Sequence, residues 1–228
     1  DSTVRVAYHS GSWYKDDPAL LGKEIGEYLD KAKKLDDYQS LKSVLVPHSG
    51  YRFGGPTAAK SFININPTNY NRVVVLGPSH HRYFESCGLT PFESFETPFG
   101  NIKVDTQEIS KLLGDKELFF TLPQSVDVKE HSIEMELPFL KYIFGKNDFS
   151  LVPIMVGHTD LSSNTQIGKA LYNLYEDPKT LFVISSDFCH WGLNFGFTYY
   201  NKDFASISES TEDLDKQALK IINEMNSA

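Results

Sequence analysis

The sequence predicts an α/β fold, a mostly parallel central sheet flanked by helices, and three observations carry that prediction. Four short runs at 43–46 (SVLV), 72–76 (RVVVL), 149–156 (FSLVPIMV) and 181–185 (LFVIS) are rich in apolar, β-branched residues and do not alternate with polar ones. That is the pattern of strands buried on both faces of a parallel sheet. Amphipathic segments at helical spacing separate the runs, giving the β/α alternation of a layered sandwich. A chain of 228 residues, 40% of them hydrophobic, can also bury a core without a disulfide or metal staple.

In chain order, Leu20, Leu21, Ile25, Tyr28, Leu29 and Leu35 recur at helical spacing ahead of the first strand. PHSGYRFGG, after that strand, reads as a Gly/Pro turn that brings backbone close to a ligand, as does LGPSHH at the end of the second. Asp105-x-x-Glu108 opens a helix carrying Ile109, Leu112 and Leu113, a capping box with Asp in place of Ser or Thr. Helices are expected over 130–144, 161–175 and 211–225, with Phe139, Tyr142, Phe144 and Tyr172 as core positions. There is no internal repeat and no linker, so a single domain over 1–228 is expected.

Composition excludes several classes of function. The net charge is 22 − 30 = −8 with no basic run, the opposite of a nucleic-acid binder. No apolar stretch approaches the roughly 18 residues of a membrane span, so membrane insertion is not expected. Two cysteines make no disulfide framework, and the N-terminus lacks the basic and apolar regions of a secretory leader; a reducing compartment, the cytoplasm with the nucleus as a second location, is expected. No GxGxxG, P-loop or GxSxG motif occurs.

The histidines carry the functional signal. His48, the pair His80 and His81, His158 and His190 each follow one of the four strand runs within about six residues, where ligands bind in open α/β sheets. Neutral imidazoles with a carboxylate suit Fe(II), Zn or Cu(II), and a thiolate moves the preference toward Cu(I) or Zn. Asp187, Cys189 and His190 offer a carboxylate, a thiol and an imidazole within four residues. On a helix, His131 and Glu134 would share a face at i, i+3 and could bind a metal or hold a substrate group; the segment is not an HExxH motif. His9 beside a turn, and His158 beside a helix start, read as structural, and Cys87 as a small buried hydrophobe.

Five motifs in order, HSGSWY (9–14), PHSGYRFGGPTAA (47–59), LGPSHH (76–81), EHSIEMELP (130–138) and LFVISSDFCHW (181–191), resemble the Memo family over nearly the whole chain. The resemblance implies the fold of class III extradiol dioxygenases, in which two histidines and a carboxylate hold non-haem iron and a further histidine is the acid/base. By motif, His48 and His80 would be metal ligands, and His190 with Asp187 would fill the catalytic place. In Memo proteins the third ligand is a cysteine in a C-terminal segment, which favours copper over an iron triad; that segment is expected to lie outside these 228 residues. His81, His131, Glu134, Cys189, Trp13 and Arg52 would line a substrate or peptide pocket. The family further implies signalling linked to cell motility, copper-dependent redox chemistry, and partners such as a phosphotyrosine-bearing receptor tail or cytoskeletal signalling proteins. Arg52 and Arg82 would supply the local positive charge a phosphopeptide needs. The competing expectations are an Fe(II) ring-cleaving dioxygenase drawing its carboxylate from Asp187, Glu130 or Glu134, and a zinc hydrolase.

Overall fold

A computed structural model describes residues 3–35 and 41–225. The chain falls into two compact units, Asp1–Ser186 and Asp187–Ala228.

The first unit begins with β1 (Val4–Arg5), α1 (Pro18–Lys31), β2 (Ser43–Val46), α2 (Tyr51–Phe62) and β3 (Arg72–Pro78). It continues with β4 (Cys87–Leu89), β5 (Ser94–Phe95), β6 (Ile102–Lys103), α3 (Thr106–Leu112), β7 (Phe119–Thr121) and α4 (Gln124–Lys129). The last elements are α5 (Leu137–Phe144), β8 (Ser150–Val156), α6 (Leu161–Glu176) and β9 (Thr180–Ser185). Six strands form the main sheet in the order β2-β9-β3-β8-β4-β7. Every neighbouring pair is parallel except β4 against β8. The expected mostly parallel α/β sheet is therefore what the chain forms. Val73, Val74 and Val75 are consecutive and fully buried, so both faces of β3 are covered, as its unbroken apolar run requires. A three-stranded sheet, β1-β5-β6, accompanies the main one.

Helix starts follow local chemistry. Asp17 caps α1 by accepting the Leu20 amide (2.8 Å), with Pro18 in the first turn. Asp105 accepts from Glu108 (3.0 Å) and Asp160 from Ser163 (2.8 Å) in the same way. Three expectations need correction. PHSGYRFGG is a turn only as far as Gly50, and α2 begins at Tyr51. Its glycines serve packing: a Cβ on Gly54 would stand 2.3 Å from Ser49 Oγ, and one on Gly55 2.5 Å from the Tyr28 ring of α1. The helix expected from residue 130 begins as a 3-10 turn at Glu134–Glu136 and becomes α-helical at Leu137. Glu130 is extended, and its carboxylate takes the amides of His131 and Ser132 that a helix would have used otherwise. Phe139 and Phe144 are core residues, but Tyr142 and Tyr172 are 38% and 56% exposed.

The strand register prepares the site. Val46 of β2 lies beside Ser185 of β9, and Ile184 beside Leu76 of β3. The carboxyl ends of these three strands therefore share one edge of the sheet.

The second unit contains a 3-10 turn at Leu193–Phe195 and α7 (Ile207–Glu224), whose cap Ser206 accepts the Glu209 amide (3.1 Å). No helix among the described residues is long and apolar enough to cross a membrane.

Candidate metal centre

His48 stands two residues past β2. Its Nδ1 is 2.8 Å from Ser185 Oγ, and that hydroxyl donates its one hydrogen to the Ser132 carbonyl (2.6 Å). Ser185 can then only accept from the imidazole, so Nδ1 carries the proton and the lone pair is on Nε2. His80 stands two residues past β3 and donates Nδ1–H to Glu130 Oε1 (2.8 Å), so an ion would take its Nε2. His131 stacks on His80 with ring centroids 4.2 Å apart and lies 5.4 Å from the ring of His48. One ring nitrogen from each of the three lies within 4.8 Å of the others, the spacing of a set that can hold a metal ion.

Glu130 organises this trio. Only 1% exposed, it accepts the His80 amide (2.7 Å) and ring, the His131 amide (2.9 Å) and the Ser132 amide (3.0 Å). Burial opposes its ionisation, but the hydrogen bonds from the His80 ring and from the Ser132 and His80 amides outweigh burial and hold the carboxyl down at about 2. It is thus an anion that fixes the tautomer of His80. Burial, and then His80, lower the imidazole of His131 to about 4 against the pull of Glu130, so this ring is neutral at pH 7.

The donor set suits a metal ion. Three imidazoles, two of them anchored through Nδ1 so that an ion would take Nε2, reproduce the arrangement in which a ligating histidine gives its other N–H to a carboxylate or other acceptor. His48 is buried and His80 exposed, so the group runs from the interior to the surface.

Aromatic rings wall one side. Trp13 lies 4.5 Å from His131, and His9 contacts both at 5.2 and 5.9 Å. His9 also has a structural bond, from Nε2 to the Lys129 carbonyl (3.1 Å). His81 is exposed, with its ring 6.3 Å from that of His131. Arg52 is exposed with its guanidinium 5.8 Å from the Phe53 ring. Glu134 is buried and turned to Arg5 (2.7 Å), the His9 amide and the Tyr14 hydroxyl rather than sharing a helical face with His131. His158 is exposed beside the Tyr83 ring, and Cys87 is fully buried.

In the second unit, His190 Nε2 is 3.5 Å from Asp187 Oδ2, and its Nδ1 is 2.8 Å from the Phe188 carbonyl. The Cys189 amide donates to Asp215 (3.0 Å), and partial burial with the Asp215 charge raises its thiol.

Sequence reasoning missed Ser185 and Ser132 entirely. Ser185 ends the strand beside β2, so only the strand order pairs it with His48.

Residues 5–228 match the family described as "Memo-like protein". The chain is 36% identical to Protein MEMO1 of Danio rerio over 223 residues, 97% of this chain and 74% of that protein. Identity to Protein MEMO1 of Homo sapiens is 33% over the same shares. With the MEMO1 family protein MHO1 of Saccharomyces cerevisiae it is 37% over 211 residues, 87% of this chain and 62% of that protein.

Proposed function

The chain belongs to the Memo-like protein family, and from that premise we propose that it is a signalling and interaction protein whose three-histidine centre holds a redox metal, copper or iron. The observation that carries this reading is the trio His48, His80 and His131, preset by Ser185 and Glu130. Imidazole donors select copper, iron or zinc over magnesium or calcium. A bound copper or iron ion would supply one-electron chemistry. The protein's share is to hold the ion, keep the imidazoles in one tautomer, and wall one side with His9 and Trp13. The cytoplasm, which keeps thiols reduced, suits the free cysteines Cys87 and Cys189.

The partner in this reading is a phosphotyrosine-bearing receptor tail or a cytoskeletal signalling protein, in a pathway of cell motility. Exposed Arg52 and Arg82, with Phe53 at 78% exposure, offer guanidinium and aromatic contacts to a phosphorylated aromatic side chain. An active Fe(II) ring-cleaving dioxygenase is the weaker reading. Glu130, a carboxylate that touches His80, already accepts four hydrogen bonds, and ligation would compete with them.

The test is metal content and Cu(I) and Fe(II) affinity of the purified chain beside His48→Ala and His80→Ala. Binding lost in both variants supports the reading, and binding unchanged in both overturns it. Loss of phosphotyrosine-peptide binding on changing Arg52 and Arg82 to Ala together is expected, and undiminished binding would remove the peptide half.

A further inference from the structure

Arg5 comes from the N-terminal strand β1, is only 2% exposed, and is the bulkiest of the fully buried side chains. Its fork is matched almost wholly to one distant segment. Nε meets Asp127 Oδ1 (3.1 Å) and the Asp127 carbonyl (3.2 Å). Nη2 meets the carbonyls of Asp127 (2.8 Å), Val128 (3.1 Å) and Glu130 (2.7 Å). Nη1 meets Glu134 Oε2 (2.7 Å) and the Val6 carbonyl (3.2 Å).

Those carbonyls lie at the end of α4. The last carbonyls of a helix need partners, and a continuing helix is one way to supply them. Here a guanidinium supplies them instead, as basic side chains do at helix C-termini. The chain is then released from helical geometry at Glu130, whose extended backbone puts its carboxylate against His80 and sends His131 onto the His80 ring. Glu134, gripped by the same guanidinium, also accepts the His9 amide (2.8 Å) and the Tyr14 hydroxyl (2.8 Å) on either side of Trp13. One buried cation therefore ties together the two stretches that carry Glu130, His131, His9 and Trp13.

We infer that Arg5 is a positioning residue for the histidine centre: it ends α4 and holds the 127–134 segment so that Glu130 and His131 meet His80. The inference rests on the metal-centre reading only for its affinity readout. A lysine keeps the charge but has one compact ammonium, which cannot span acceptors spread over Asp127, Val128, Glu130 and Glu134.

The experiment compares the wild-type chain with Arg5→Lys and with Arg72→Lys. Arg72 is a partly buried arginine paired with Asp105 and Asp177 at the start of β3, and it controls for the general cost of losing such a fork. Two quantities are read: Cu(I) affinity by chelator competition, and the hydrogen-bonded His80 Nδ1–H in imidazole 15N–1H spectra of the metal-free protein. Arg5→Lys is expected to weaken Cu(I) binding by about 10- to 100-fold, the usual cost of disturbing the groups behind metal ligands, and to lose the His80 signal. Arg72→Lys is expected to keep both. A folded Arg5→Lys with wild-type affinity and an intact His80 signal overturns the inference. So does an equal loss in Arg72→Lys. Should Arg5→Lys not fold, Asp127→Asn, which removes the charge facing Nε, is expected to weaken Cu(I) binding and broaden the His80 signal; wild-type behaviour overturns the inference. A wild-type chain that binds no Cu(I) refutes the metal reading, while the His80 signal still decides the role of Arg5.

Discussion

Glu130 and Glu134 are four residues apart and each 1% exposed, yet the donors they face differ in kind. Glu130 receives three backbone amides and the ring of a histidine. Glu134 receives the Arg5 guanidinium as well as the His9 amide and the Tyr14 hydroxyl. A carboxylate held by backbone amides and an imidazole sets directions, and losing it misplaces that imidazole. A carboxylate opposite a buried guanidinium balances a charge, and losing it strands that charge in a poorly solvated interior. One short segment thus contains an anion for the site and an anion for the fold.

The largest effect is expected from the second kind. Glu134→Ala leaves Arg5 with Asp127 as its remaining carboxylate partner and should destabilise the chain by about 3 kcal/mol, the low end for breaking a buried ion pair. Urea unfolding followed by circular dichroism measures it, and a loss under about 1 kcal/mol would break the contrast. Glu130→Gln keeps the shape and removes the anion. Its Cu(I) affinity should fall by about 10- to 100-fold with a smaller loss of stability than Glu134→Ala. The reverse ranking in chelator competition and urea unfolding would mean that the two carboxylates have been assigned the wrong way round.

Ser185→Ala sharpens the comparison at His48, because it removes the acceptor of a buried Nδ1–H. A stranded buried donor costs about 1–3 kcal/mol. The ring is then free to change tautomer, and imidazole 15N shifts should report Nε2–H in place of Nδ1–H. Tyr14→Phe is expected to do least. Burial, reinforced by the charge of Glu134, pushes the Tyr14 phenol well above its usual range, so it remains a neutral donor. Removing that hydroxyl should cost about 1 kcal/mol and leave Cu(I) affinity unchanged, as the same two assays will show.

Legibility from sequence tracked the distance over which a residue's role is decided. The four long strands and the caps at Asp105 and Asp160 are local matters, and their residues announce them. The strands β1, β4, β5, β6 and β7 have two or three residues each, too short for an apolar run to stand out. Gly54 and Gly55 read as turn residues because sequence does not show the Tyr28 ring and Ser49 hydroxyl they make room for. His48 and His80 could be picked out as strand-end residues. Placing His131 with them required a break after α4, and the cause of that break, Arg5, lies more than 120 residues earlier in the chain. A helical reading of 130–144 put His131 and Glu134 on one face, whereas the extended Glu130 and the 3-10 turn after it give them different surroundings.

Three imidazoles, not two, are expected to hold the ion, and His131→Ala decides between the two arrangements. In a Cu(I) competition titration, the wild-type chain should bind one equivalent, and His131→Ala should weaken that binding at least as much as Glu130→Gln does. Wild-type affinity in a folded His131→Ala would rule out a three-imidazole centre and leave His131 as a wall of the pocket.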